Sequence, residues 1–234
     1  MRKFSLSEYA PETIEYYVRQ IQFFDDLARQ DPEQYAILMQ HTCIMELEAG
    51  EVLIEKGTMG GIFYSLVHGQ LAIFHEKTPG DTAICELFPS LILGALSIIN
   101  HQPRTATVVV SSIEGATVFC TDFSIFGDLD DFSIVSLSTK LEMFRDVVRQ
   151  IYATLLKYER EAPDELLSSE LSTLMVFHGE RNSMEELEYF AELAIGLTWL
   201  LGRWNAKIVP SVPMFDESLL ESRLASLMNI EVRR

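Results

Sequence analysis

The sequence predicts an α+β fold, and three observations carry that prediction. Apolar residues recur at three- and four-residue steps up to about residue 40 and again from Ile134 onward. Between these stretches the period changes to two, and β-branched and aromatic residues dominate. Glycines punctuate the middle stretch at short intervals, as a series of short strands and turns requires. The organisation expected is a helical segment at 1–40, a strand-rich domain at 41–129, one long helix at 130–160 and a helical module at 161–234.

In the first segment Ile14, Tyr17, Val18, Ile21, Phe24 and Leu27 line one helix face. Asp31-Pro32 ends that helix and opens a second through Tyr35, Leu38 and Met39, because Asp caps a helix and Pro fits its first turn. In the middle segment Gly50, Gly57, Gly60, Gly61, Gly69, Gly80, Gly94 and Gly115 read as turn positions of positive φ. Ile62–Val67 and Gln70–Phe74, joined through His68-Gly69, read as a hairpin. Thr105–Val110 and Ala116–Cys120 read as a second strand pair around Glu114-Gly115.

From Ile134 the register is regular. Ile134, Leu137, Leu141, Phe144, Val148, Ile151, Leu155 and Tyr158 fill the a and d positions of a coiled-coil seam. A self-complementary stripe predicts a parallel homodimer; the alternative is a stripe that packs on the chain's own β domain. Glu161–Asp164, which contains Pro163, breaks the helix. Leu166–Phe177, Met184–Trp204 and Ser218–Leu227 are periodic again, with Pro210 and Pro213 flanking a loop before the last of them.

Composition excludes several function classes. Eighteen Lys and Arg against 35 Asp and Glu leave a net charge of −17, so no generic basic face is available for a nucleic-acid backbone. Cys43, Cys85 and Cys120 are odd in number and far apart, which suits thiols in a reducing cytoplasm and supplies no metal-ligand spacing. The N-terminus lacks a signal-peptide run, and the most apolar stretch, Leu193–Leu201, is too short to span a bilayer, so no membrane insertion is expected. His41, His68, His75, His101 and His178 are scattered with no nucleophile–base order, so no catalysis is expected.

Chemistry concentrates between Leu93 and Val108. A glycine, Gly94, leads into a short helical turn, and Arg104-Thr105-Ala106 opens the next strand. Free N–H groups at the start of a helical turn favour an anion, and a guanidinium alongside can grip a phosphate with two parallel bonds. Arg104 is the candidate anion ligand. From spacing alone the alternative is an exposed arginine at the start of a strand.

The stretch from about Met45 to Phe126 resembles the cyclic-nucleotide-binding β-roll of the catabolite activator family and of kinase regulatory subunits. Glu48–Gly57 is similar to its opening strands, Phe63–Leu71 to its central hairpin, and Pro103–Val108 to the end of its phosphate-binding cassette. The resemblance implies an antiparallel, jelly-roll-like β-roll flanked by helices, a long dimerisation helix and a helical C-terminal module. It also implies cyclic AMP or cyclic GMP as the ligand, with no other cofactor and no metal. Arg104 would meet the cyclic phosphate, Thr105 and Ala106 would lie beside it, and Gly94, Ala95 and Leu96 would face it from the cassette turn.

Two departures weaken that expectation. The family has Glu directly after the cassette glycine, accepting from the ribose 2′-hydroxyl, whereas this chain has Ala95. A buried hydroxyl left unpaired costs about 1–3 kcal/mol, or roughly one to two decades of affinity. Val148 and Arg149 stand where the catabolite activator carries hydroxyl residues that reach adenine. Three readings stay open: a weak or altered cyclic-nucleotide site, a site for another small anion, or an empty roll kept as a dimeric scaffold.

In that family a winged helix-turn-helix follows the long helix. Here Ser183–Glu192 offers carboxylates, which repel phosphate, and Trp199-Leu200-Leu201 after the turn-like Ile195-Gly196-Leu197-Thr198 is too apolar for a solvated groove. The expected function is a cytoplasmic, bacterial regulatory protein whose roll signals through the dimer helix to a protein-binding helical module. Met175, Phe177, Met184, Tyr189, Phe190, Trp199 and Trp204 are its candidate groove residues, with ordinary core packing as the alternative. A DNA-binding regulator of the same family is the competing reading.

Overall fold

Each helix at the front of the chain starts and stops where its sequence allows. The computed structural model describes residues 1–74, 83–99, 101–174 and 177–208, apart from the side chains of Leu96, Ala206 and Ile208. The front carries α1 (Pro11–Val18), α2 (Gln22–Gln30) and α3 (Pro32–Gln40). Asp31 caps α3 by accepting from the Gln34 N–H at 3.1 Å, with Pro32 in the first turn. The periodic face of Ile14–Leu27 is not one helix. It breaks at Ile21, whose backbone is extended while its side chain stays buried.

The segment 1–40 is also not wholly helical. β1 (Arg2–Phe4) pairs antiparallel with β2 (Thr42–Leu47), in the register Arg2↔Glu46. Glu46 holds this edge by accepting from Arg2 at 3.1 Å and from the Tyr9 hydroxyl at 2.6 Å.

The period-two region folds into two antiparallel sheets. Its strands are β3 (Val52–Ile54), β4 (Ile62–Gly69), β5 (Leu71–Phe74), β6 (Cys85–Leu87), β7 (Ile92–Leu93), β8 (Thr107–Val110) and β9 (Ala116–Asp122). One sheet has the order β1-β2-β9-β4-β7 and the other β3-β8-β5-β6. Both expected hairpins are therefore corrected. β4 and β5 lie in different sheets, and so do β8 and β9. At Gly69 and at Gly115 the chain crosses from one sheet to the other instead of folding back. Both glycines have positive φ, and a Cβ on Gly69 would collide with the Gly115 carbonyl, so the two corners pack backbone on backbone. Leu47, Leu53, Leu66, Leu71, Val108, Val110 and Val118 fill the space between the sheets. On the outer side Phe119 receives Phe24 and Tyr17 edge-on, at 5.8 and 6.2 Å between ring centres. The result is an α+β chain built on an antiparallel β-roll.

A short helix, α4 (Ala95–Ile99), follows β7. The long helix, α5 (Leu137–Glu161), begins one turn later than the seam pattern, so Ile134 precedes it and is exposed. Leu141, Phe144, Ile151, Leu155 and Tyr158 are buried within the single chain, while Tyr152 and Leu156 on the same helix are exposed. Five of the eight stripe positions are therefore core positions of this chain, while Leu137 and Val148 are half-buried. The double variant Leu141→Asp with Ile151→Asp is accordingly expected to abolish the cooperative thermal transition, since each buried charge costs about 3–5 kcal/mol. Circular dichroism and light scattering check this: folded monomers from a dimeric parent would instead assign the stripe to an interface between two chains.

The chain divides into two compact units, Met1–Met143 and Phe144–Arg234. In the second, α6 (Glu165–Ser172) is capped by Asp164, and α7 runs unbroken over Met184–Ile208. The turn-like Ile195–Thr198 forms no turn: Gly196 sits within a continuous helix, as the periodicity of Met184–Trp204 predicts. Trp204 is fully buried and donates to the Ala162 carbonyl at 2.8 Å, and Trp199 lies under Arg203. Tyr189 meets Phe177 at a tilt and Phe190 edge-on, both at 5.3 Å between ring centres. Of these aromatics Trp204 is a core residue, while Phe177, Tyr189, Phe190 and Trp199 are half-buried. Gly80, His75, Met175, Pro210, Pro213 and Ser218–Leu227 lie outside the described residues.

Candidate anion-binding site

Three backbone segments converge on Arg104: the β3–β4 loop, the β7–α4 junction and the lead into β8. Two main-chain bonds fix its position, Gly57 N–H to the Arg104 carbonyl and Arg104 N–H to the Thr58 carbonyl, both 2.8 Å. The side chain is not the exposed strand-start arginine that spacing alone allowed; it is only 6% exposed. Its Nη1 donates to the Gly94 carbonyl and to Ser97 Oγ at 2.8 Å, and its Nη2 donates to the Ile62 carbonyl at 2.6 Å.

All three acceptors are neutral. Among the described residues no carboxylate pairs with this guanidinium. Burial pushes its pKa below the ordinary value, with the nearby Tyr64 working in the opposite direction. A buried cation held only by dipoles is costly unless a counter-charge arrives. A guanidinium has five N–H donors, and three are spent, so Nε–H and one Nη2–H remain. Two donors are what a bidentate phosphate contact uses.

Glycine makes this packing possible. Gly94 takes positive φ at the turn into α4, and a Cβ there would run into Nη1. Gly60 has no positive φ, which corrects the turn-glycine reading at that position. A Cβ on Gly60 would instead collide with Nη2 and lie 2.9 Å from Nε, on the edge whose donors remain.

The other expected site residues fall around this centre. Ala95 opens α4 and is buried, Thr105 is exposed, and Ala106 is half-buried. Leu96 contributes its backbone to the first turn of α4. The sequence reading missed Gly60, the Ser97 hydroxyl and the Ile62 carbonyl. The paired glycines Gly60-Gly61 were the available signal for the first; nothing in composition marks the other two. Arg149, placed near the base by resemblance, is bonded to Asp146 at 3.0 Å on α5 in the second unit.

No helix among the described residues is long and apolar enough to cross a membrane, and they contain no cluster of metal-ligating side chains.

Residues 44–129 match the family model described as the cyclic nucleotide-binding domain. A cAMP-dependent protein kinase regulatory subunit of Dictyostelium discoideum is 34% identical over 68 residues, which is 27% of this chain and 21% of that protein. The acetyltransferase Pat of Mycolicibacterium smegmatis is 31% identical over 67 residues, 29% of this chain and 20% of that protein. The chain thus spans about a fifth of the length of the curated relatives it matches. Among solved structures, a putative cyclic nucleotide-binding protein from Geobacter metallireducens GS-15 covers 63% of this chain and 98% of its own, at 16% identity and a TM-score of 0.49. The match to the cyclic nucleotide-binding domain thus falls on the segment that folds into the β-roll.

Proposed function

We propose that the roll is a regulatory sensor that binds the cyclic phosphate of a cyclic nucleotide through Arg104. One observation carries the reading: a buried guanidinium with neutral partners and two donors left over, the complement of a phosphate monoanion. The kinase regulatory subunits among the relatives, named as cAMP-dependent, supply the ligand class. The base and sugar contribute less than usual, because Ala95 offers no acceptor to the ribose 2′-hydroxyl. Occupancy is transmitted to the helical second unit. Its target is protein rather than duplex DNA, because α7 opens with exposed carboxylates at Glu185 and Glu188 that oppose a phosphate backbone.

Calorimetric titration with cyclic AMP, cyclic GMP, a cyclic dinucleotide and inorganic phosphate tests the reading. One cyclic mononucleotide saturating a single site per roll supports it. Heats no larger than dilution for all four would leave the roll a scaffold.

Two substitutions sharpen the test. Ala95→Glu is expected to tighten cyclic-nucleotide binding about tenfold by restoring an acceptor worth ~1.4 kcal/mol, and unchanged titration heats would argue that the sugar lies elsewhere. Gly60→Ala is expected to weaken binding at least ~10-fold while leaving the fold intact, since it displaces the Nε/Nη2 edge without backbone strain. Full affinity in Gly60→Ala would remove that edge from the site.

A further inference from the structure

The inner wall of the roll carries a second chemical feature, independent of the anion site. Cys43 on β2 and Cys120 on β9 are direct partners across antiparallel strands, although 77 positions apart in sequence. Both side chains belong to the face that packs between the sheets; Cys120 is buried there and Cys43 is half-exposed. The Cys43 thiol lies 3.7 Å from the Cys120 carbonyl oxygen. Both are reduced in this structure.

The spacing suits a bond between them. Asp122 N–H donates to the His41 carbonyl at 3.1 Å, two rungs along the same ladder. Rungs alternate in type, so Cys43↔Cys120 is also a hydrogen-bonded rung, with a Cα separation of about 5.5 Å. Disulfides take Cα separations of roughly 4.4–6.8 Å, so the Cα spacing already lies in range and closing the bond asks only for a small approach of the two Cβ atoms.

We propose that Cys43 and Cys120 are a hydroperoxide-responsive dithiol that closes to a cross-strand disulfide inside the roll. The groups facing Cys43 from each packed strand divide the two roles. Cys120 on β9 acts as a donor toward the Cys43 sulfur, and the Lys3 ammonium on β1 adds positive charge, which together outweigh burial and bring the Cys43 thiol down to about 6. Cys120 is pushed up, by its hydrogen bond to Cys43 and then by burial. Cys43, the half-exposed member of the pair, is the sulfur a peroxide reaches and so the nucleophile, and the buried Cys120 is the resolving thiol.

In the first step the Cys43 sulfur attacks the peroxide. An S–O bond forms, the O–O bond breaks, and hydroxide or alkoxide leaves, giving the sulfenic acid. In the second the Cys120 sulfur displaces that oxygen. The S–S bond forms, the S–O bond breaks, and the Cys120 proton leaves with the oxygen as water. Two electrons pass from the thiol pair to the peroxide. The row continues from Cys120 to Tyr64 and from Tyr64 to Leu93, ending one residue before Gly94, whose carbonyl holds Arg104.

The test is titration of the reduced full chain with hydrogen peroxide, followed by thiol counting under denaturing conditions and non-reducing peptide mapping. The expected result is loss of two of the three thiols, a mass lower by two hydrogens, and one linked peptide joining Cys43 to Cys120, all reversed by dithiothreitol. Cys85→Ser should behave identically, and Cys43→Ser should lose no thiol pair. Cys43→Ser keeps the test open if Cys120→Ser, altered in the core, fails to fold. Sulfinate accumulating on Cys43, or a linkage through Cys85, would overturn the proposal whatever the nucleotide titrations give.

Discussion

Arg104→Gln is expected to weaken cyclic-nucleotide binding by about 100-fold. It removes two charge-assisted bonds to the phosphate, a net loss of about 3 kcal/mol at about 1.4 kcal/mol per decade. Stability without ligand should move far less. The variant strands the Gly94 and Ile62 carbonyls and the Ser97 hydroxyl, but it also removes a buried charge that has no carboxylate partner. These effects oppose one another, so the melting temperature of the free protein should shift by no more than about 4–8 °C. Arg104→Lys should retain part of the affinity, because an ammonium supplies charge without the planar fork. Calorimetry and thermal melts with and without ligand separate the two quantities. Undiminished affinity in Arg104→Gln would place the phosphate elsewhere.

The second large effect belongs to the helical unit. Glu186 has a side chain with 0% exposure, and it accepts from Arg145 at 2.8 Å, Arg181 at 2.7 Å and the Asn182 N–H at 2.6 Å. Ser183 caps the same turn by accepting from the Glu186 N–H. Burial alone would raise this carboxyl, but the bonds from Arg145, Arg181 and Asn182 outweigh it and hold Glu186 below its ordinary 4.5. Glu186→Gln should cost about 2–4 kcal/mol at neutral pH; the cost is moderated because Arg181 is mostly solvent-exposed and regains water. A depressed native carboxyl means the unfolded chain binds the proton more readily. The stabilisation is thus complete above about pH 4.5 and is lost as pH falls through the lower native value. Melts of the two proteins should converge on acidification from pH 7 toward pH 3. A difference constant across that range would mean Glu186 is not held as a carboxylate.

What the sequence made legible was local. The period change marked the roll, Asp31-Pro32 marked the α2–α3 boundary, and Gly94 with Arg104 marked the contact on which the proposed anion site is built, because each rests on residues near one another in the chain. Long-range partners left no local mark. Gly69 and Gly115 have the same turn chemistry whether a strand folds back or crosses to another sheet, so the two hairpins could not be told from crossovers. The stripe on α5 has the same spacing whether a partner or its own chain covers it. Glu186 looked like one carboxylate of an acidic helix face; only the fold brings Arg145 to it. Gly60 showed itself as a turn residue, and its approach to the Arg104 guanidinium depends on a loop 44 positions away from it in sequence folding back.

The most direct measurement is the side-chain Nε–H resonance of Arg104 by proton–nitrogen NMR during titration with cyclic AMP, assigned by its absence in Arg104→Gln. A phosphate taken on the free edge should shift that proton downfield and slow its exchange with water as the site fills. A resonance unmoved at saturating nucleotide would show that the leftover donors do not hold the ligand.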